Sequence, residues 1–180
     1  MPAGSRNPAP GEFGWSAGFA LLLLRHEGGM AERDPMELEE ALRALNRTLA
    51  LQARSALAFT HVAGSVRGLA HQALGAQLWR FAMEELDDLR RLVEKVVALG
   101  GEPTTDVAPI RSHESLEDAL AWLVETETEA VEALADVIPH TGNEGPGEAL
   151  EHRLEHIIMR KQEQVDTLSR ALGEPTNRSG

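Results

Sequence analysis

The sequence predicts an all-α protein, an up-down four-helix bundle in which a long crossover joins the second helix to the third. Aromatic residues make up only 4% of the chain and tyrosine is absent. Ala, Leu, Glu and Arg recur instead, a mixture that favours helix over strand. Four segments repeat apolar residues at three- and four-residue steps, each bounded by capping or breaking residues. In each of the four, one polar residue interrupts the apolar stripe near its middle.

The first helix is predicted to start at Asp34-Pro35-Met36-Glu37, a capping box with proline at the first helical position, and to run to about Ser65. Gly64 and Gly68 bracket a short turn. The second helix is predicted from about Leu69 to Leu99, where Gly100-Gly101 and then Pro103 stop it. Residues 100–114 contain two prolines and no helical period, after which Ser115 and Asp118 form the next capping pair and a third helix runs to Ile138. Pro139, Gly142, Gly145, Pro146 and Gly147 are expected in a loop, with a fourth helix over Glu148 to Leu172 ended by Gly173 and Pro175. The short linkers imply two antiparallel hairpins, and the long one is a crossover returning along the bundle. On this reading residues 34–173 form one domain. Residues 1–33 are an N-terminal extension expected to be disordered or partly helical, and 174–180 are a C-terminal tail.

Composition excludes several partners. With 29 acidic and 17 basic residues the net charge is -12, and no Lys/Arg cluster offers a patch for several phosphates, so nucleic acid is not an expected partner. Cysteine is absent, which rules out disulfides and thiolate metal sites and fits a cytoplasmic location. The apolar run Phe19 to Leu24 is too short to cross a bilayer, and Arg25, His26 and Glu27 follow it where a secretory signal needs small residues. Neither a membrane anchor nor export is expected. Met30, directly after Glu27-Gly28-Gly29, is an alternative start, which makes residues 1–29 a candidate upstream extension.

The interrupted stripes carry the chemistry. The first reads Leu38, Leu42, Leu45, Leu49, then Gln52, then Ala56, Phe59 and Ala63. The second reads Leu74, Leu78, Phe81, Ala82, then Glu85, then Leu92, Val96 and Leu99, with Asp88 one turn on at its edge. The third reads Leu116, Leu120, Leu123, then Glu127, then Ala130, Leu134 and Ile138. The fourth reads Leu150, Leu154, Ile157, then Lys161, then Val165, Leu168 and Leu172, with Gln164 flanking. A single such residue is ordinarily a side chain that snorkels to the surface. An unpaired ion in an apolar core costs several kcal/mol, so four interruptions at one depth are expected to meet.

Over roughly residues 38–173 the chain resembles the ferritin-like superfamily, and within it bacterioferritins and their shorter relatives. The resemblance rests on Glu85-Leu86-Asp87-Asp88 followed by Val96-Val97-Ala98-Leu99-Gly100-Gly101-Glu102-Pro103, on Leu45-Asn46, and on Glu125-Thr126-Glu127. It implies a di-iron site with one glutamate from each of the first and third helices and a Glu-x-x-His pair from each of the second and fourth. Transferred onto this chain, Glu85 and Glu127 stand at ligand positions. Gln52 replaces the first-helix glutamate, and Asp88 replaces the second-helix histidine. In the fourth helix the stripe puts Lys161 and Gln164 where glutamate and histidine belong, while an alternative register gives Arg160 and Glu163. Leu86 stands where haem-binding relatives carry methionine, so haem is not expected.

A protonated lysine has three donors and no lone pair, so it competes with a metal. Lys161 is therefore expected to take the place of a metal between Glu85 and Glu127, with Gln52 supplying hydrogen bonds. A single hard cation of the Mg, Ca or Mn type on Glu85, Asp88 and Glu127 is the oxygen-only alternative. His61, His71, His113, His140, His152 and His156 read as surface or capping residues, with His26 in the N-terminal stretch, and Glu125, Glu129 and Glu132 as a solvated face. Three functions follow as expectations: a non-catalytic oligomeric or partner-binding protein with no cofactor, a divergent iron ferroxidase or store using Glu85, Asp88, Glu127 and Glu163, or a bundle holding a small ligand near Lys161. The resemblance implies a homo-oligomer, at least a dimer. No exposed apolar stripe is evident that sets the number of subunits.

Overall fold

The computed structural model describes residues 35–173. The N-terminal extension, the Met30 start and the tail after Gly173 lie outside the described residues. Helix α1 spans Leu38–Ser65, α2 Gln72–Ala98, α3 Leu116–Ala135 and α4 Gly145–Leu172, with short 3-10 turns at Leu69–His71 and Ile138–His140. The chain is an all-α four-helix bundle in which α1 pairs with α2 and α3 with α4. The third contact layer joins α1 to α3, and α2 and α4 approach each other less closely.

The crossover over residues 99–115 lies along α1. Asn46 donates from Nδ2 to the Glu102 carbonyl (3.1 Å) and accepts from the Thr104 backbone N–H (2.7 Å). The Ala108 N–H then donates to the Ala50 carbonyl at 3.0 Å. Beyond this point the imidazole of His113 and the guanidinium of Arg111 pack on Trp122, with the rings 4.7 Å apart and the cation 5.9 Å from the indole centroid. The crossover therefore delivers the chain to the N-terminus of α3 already fastened, and there the Asp118 N–H donates to Ser115 Oγ at 3.0 Å, the cap that the sequence signals.

Four boundaries differ from the sequence-based ones, among them the start of α2, which is at Gln72 after a 3-10 turn over Leu69–His71. Helix α1 begins at Leu38 and not at Pro35, with Glu37 at the cap position making no side-chain cap bond. Tertiary contacts use Glu37 instead: its N–H donates to the His140 carbonyl (3.0 Å), and its Oε2 lies 2.6 Å from His140 Nδ1. Helix α3 stops at Ala135, and Pro139 enters the 3-10 turn that follows. Helix α4 starts at Gly145, with Pro146 and Gly147 in its first turn rather than in a loop.

Two large apolar clusters fill the ends of the bundle, and a small third one, Leu51 with Ala130 and Ala133, lies between α1 and α3. Leu45, Leu49, Leu92, Val96, Leu134, Leu150, Leu154 and Ile157 form the first. Phe59, Val62, Leu78, Phe81, Leu120, Trp122, Leu123 and Leu168 form the second, with Phe59 and Phe81 edge to face at 5.5 Å. The layer between them is polar.

The outer face of α2 is a finding the sequence reading lacks. Trp79, Met83, Leu86 and Val97 are each about half exposed (49–58%), and Val93 continues the row two turns after Leu86, with Arg90 at the step between them. The second helix therefore carries two apolar stripes, one inward and one outward, and the periodicity of the inward stripe hides the outward one.

Gly147 shows how tightly α4 docks on the preceding loop. A Cβ built there would lie 1.9 Å from the Thr141 carbonyl oxygen, whereas one at Gly145 would meet nothing within 4 Å. Gly147→Ala is expected to lower stability by about 1–3 kcal/mol or more, and Gly145→Ala to change it by about 0.5 kcal/mol or less; denaturant titrations of both variants measure the difference.

Candidate functional site

The polar layer takes one or more side chains from every helix. Gln52 and Ser55 come from α1, three residues apart and so on one face; Glu85 and Asp88 come from α2, Glu127 from α3, and Lys161 and Gln164 from α4. Gln52, Ser55, Glu85, Asp88, Glu127 and Lys161 are fully buried, and Gln164 is 1% exposed. Lys161 Nζ donates to Glu85 Oε2 and to Glu127 Oε2, both at 2.5 Å, and reaches Ser55 Oγ at 3.4 Å. The three donors of the ammonium thus meet three oxygens on three different helices. Gln52 Nε2 donates to Glu85 Oε2 (2.6 Å) and to the Glu85 carbonyl (3.0 Å), which ties α1 to the same carboxylate.

Asp88 is buried with this layer but has its own counter-ion. Arg160 donates to it in a bidentate pair, Nε to Oδ2 at 3.0 Å and Nη2 to Oδ1 at 2.5 Å. Gln164 is buried at the edge of the layer, its Nε2 3.4 Å from Glu84 Oε2. The fourth-helix register is thereby set. Lys161 and Gln164 are inward, Arg160 reaches sideways along the α2–α4 seam, and Glu163 is exposed on the surface of α4.

Charge balance shapes protonation. Three buried carboxylates face two cations, so one negative charge is in excess if all ionise. Burial pushes the Glu127 carboxyl above its ordinary value; Lys161 opposes the shift and Glu85 adds to it. Asp88 is also raised, by burial first, with Arg160 opposing and Glu85 adding. Burial alone would lower Lys161, but the charges and hydrogen bonds of Glu127 and Glu85 outweigh it and hold the ammonium above its usual range.

These residues do not fit two irons. Bringing in a charge of about +4 needs several carboxylates with free lone pairs and imidazoles to complete the coordination. Here Lys161 occupies one oxygen of each glutamate, Arg160 occupies both oxygens of Asp88, and α1 supplies an amide. Among the described residues no three His, Cys, Asp or Glu side chains converge as a ligand set. Glu85 Oε1 and Glu127 Oε1 make no hydrogen bond within the protein, but Asp88 faces Arg160 and Glu163 faces solvent, so the four proposed metal ligands are not gathered. Four of the described histidines are engaged elsewhere: His113 Nδ1 is 3.2 Å from Asp118 Oδ2, His140 meets Glu37, and His152 meets His156.

Two parts of the arrangement escaped the sequence reading. Ser55 lies three residues after Gln52 on the same stripe, a signal that was present. Arg54, expected on no stripe, is buried against α3, where it donates to the Thr126 carbonyl (3.2 Å) and to Glu129 Oε2 (2.7 Å). Glu129 is therefore a counter-ion rather than part of a purely solvated face.

Lys161→Met is expected to cost on the order of 3–5 kcal/mol, because Glu85 and Glu127 lose their buried counter-charge. Combining it with Glu85→Gln and Glu127→Gln should recover most of the loss, which chemical denaturation will show. Glu127 and Asp88 are both raised, so the folded protein keeps protons that the unfolded chain releases from 4.5 and 3.8 respectively. Their contribution is present below those values and is lost as pH rises through the folded ones. Thermal melts of wild type and Glu127→Gln across mildly acidic to neutral pH should therefore show the variant gaining on wild type as pH increases.

Comparison with known proteins places this geometry. A structure titled as ferritin-like, diiron-carboxylate proteins from Bacillus anthracis str. Ames superposes with a TM-score of 0.70 at 24% identity, covering 75% of this chain and 96% of that one. BfrA from M. tuberculosis superposes with a TM-score of 0.68 at 18% identity, covering 74% of this chain and 83% of that one. No curated protein sequence matches. The sequence model of the ferritin-like domain matches residues 42–176, most of the chain. The four-helix bundle, the long crossover and that match lead to one conclusion: the chain belongs to the ferritin-like domain family.

Proposed function

We propose that this protein is a non-catalytic member of its family, an oligomeric or partner-binding bundle in which an ion-paired cluster stands where diiron-carboxylate relatives hold metal. The observation that carries this reading is the Lys161 ammonium at 2.5 Å from both Glu85 and Glu127. A fixed cation at that depth supplies the positive charge that two carboxylates need, and it lacks the lone pairs and redox states that ferroxidase chemistry requires. The three N–H groups of Lys161 are all directed at protein oxygens, which supports a structural layer over a pocket for a small ligand.

The outer stripe of α2 supports self-association. Two copies crossing antiparallel about the middle of the row would bury Trp79, Met83, Leu86, Val93 and Val97 against their counterparts. The charges flanking the row, Arg80 with Glu84 and Arg90 with Asp87 and Glu94, are paired within the helix, so they border the apolar residues without a single-sign field. No helix among the described residues is long and apolar enough to cross a membrane.

Two experiments test the reading. Aerobic addition of ferrous iron to the purified protein should give no faster oxidation than a buffer control, and metal analysis after desalting should find no iron; two irons bound per chain would end the proposal. Leu86→Glu should leave the helical circular dichroism signal intact while sedimentation shows the oligomer dissociating, and an unchanged mass would remove α2 from the interface.

A further inference from the structure

The exposed surface of α4 holds a pair of side chains that the central layer does not use. His152 and His156 are four residues apart, so their rings stand one above the other on one helix face. Their Nε2 atoms are 3.1 Å apart, with ring centroids at 4.5 Å and planes crossing at 76°. That separation is the bite of a chelate. Imidazole nitrogens bind borderline divalent metals at about 2.0–2.1 Å, so two of them 3.1 Å apart subtend roughly 95–102° at a common ion. This lies between the cis angle of square-planar coordination, about 90°, and the tetrahedral angle, about 109°.

The present contact needs a proton on one of the two facing nitrogens. With that proton on Nδ1 of each ring, both Nε2 lone pairs are free for a common ion. Glu155 Oε2 lies 3.7 Å from His152 Nδ1, the nitrogen of the ring that does not face His156, so a carboxylate stands beside the pair. The pair is already held in register by a helix of 28 residues, so little ordering is lost on binding. The net charge of -12 favours approach of any cation.

We propose that His152 and His156 form a bidentate surface site for one divalent transition ion of the Cu2+, Ni2+ and Zn2+ class, with water completing its coordination. Imidazole suits these ions, whereas Mg2+ and Ca2+ prefer oxygen ligands. The site is separate from the buried layer and stands or falls independently of the reading given for Lys161.

Calorimetric titration of tag-free full-length protein with NiCl2 tests the site. One ion per chain is expected. His152→Gln and His156→Gln should each weaken binding on the order of a hundredfold, the loss of a second ligand on the same scaffold. His140→Gln should leave it unchanged, and MgCl2 should not compete. Both substituted positions are exposed, so the fold is retained and circular dichroism checks it. Absence of Ni2+ binding by wild type, wild-type affinity in His152→Gln or in His156→Gln, or effective competition by Mg2+ would each overturn the site.

Discussion

A buried ammonium set between two buried carboxylates holds the middle of this bundle. Lys161 on α4 meets Glu85 on α2 and Glu127 on α3, and Gln52 on α1 closes the set by donating to Glu85. An apolar core tolerates a helix sliding by a turn, because one leucine replaces another. A layer of charges does not, since a slide of one turn leaves an ion facing hydrocarbon at a cost of several kcal/mol. The polar layer thus fixes the relative depth of four helices whose apolar clusters lie above and below it.

The same layer explains how α2 and α4 are joined. These helices approach less closely than the other neighbouring pairs, and the side chains that cross the gap are long and polar. Lys161 reaches Glu85, Arg160 reaches Asp88, and Gln164 reaches Glu84. Members of the fold with Glu-x-x-His on both helices fill this space with metal. Here two cations of the protein itself fill it. An amino-acid cation cannot be removed by a chelator, so the cross-link is permanent, but it is sensitive to protonation because Glu127 and Asp88 are raised by burial.

The surface is organised separately from the centre. The outer row on α2 and the histidine pair on α4 lie on different helices and neither contributes to the buried layer. Each arises because a long helix has faces to spare once one stripe is committed to the core. A substitution on those faces therefore leaves the buried layer untouched, whereas a substitution in the layer acts on folding.

Much of this was legible in the chain. Four periodic stripes, their breakers and the coincident interruptions at Gln52, Glu85, Glu127 and Lys161 were readable because helix periodicity is local, and because burying a lone charge is costly enough to make a pattern of charges informative. The Ser115 cap was readable for the same local reason. Distance in sequence hid the rest. Glu37 was committed to His140, Arg54 to Thr126 and Glu129, and Arg160 to Asp88, pairings between residues far apart in the chain that override local capping and solvation preferences. The choice between Lys161 and Arg160 as the inward cation could not be made from α4 alone. It was decided by where α2 placed Glu85 and Asp88, because the two carboxylates at different depths take the two cations each within reach. Periodicity determined which residues turn inward, and only the packing of one helix on another determined which of them meet.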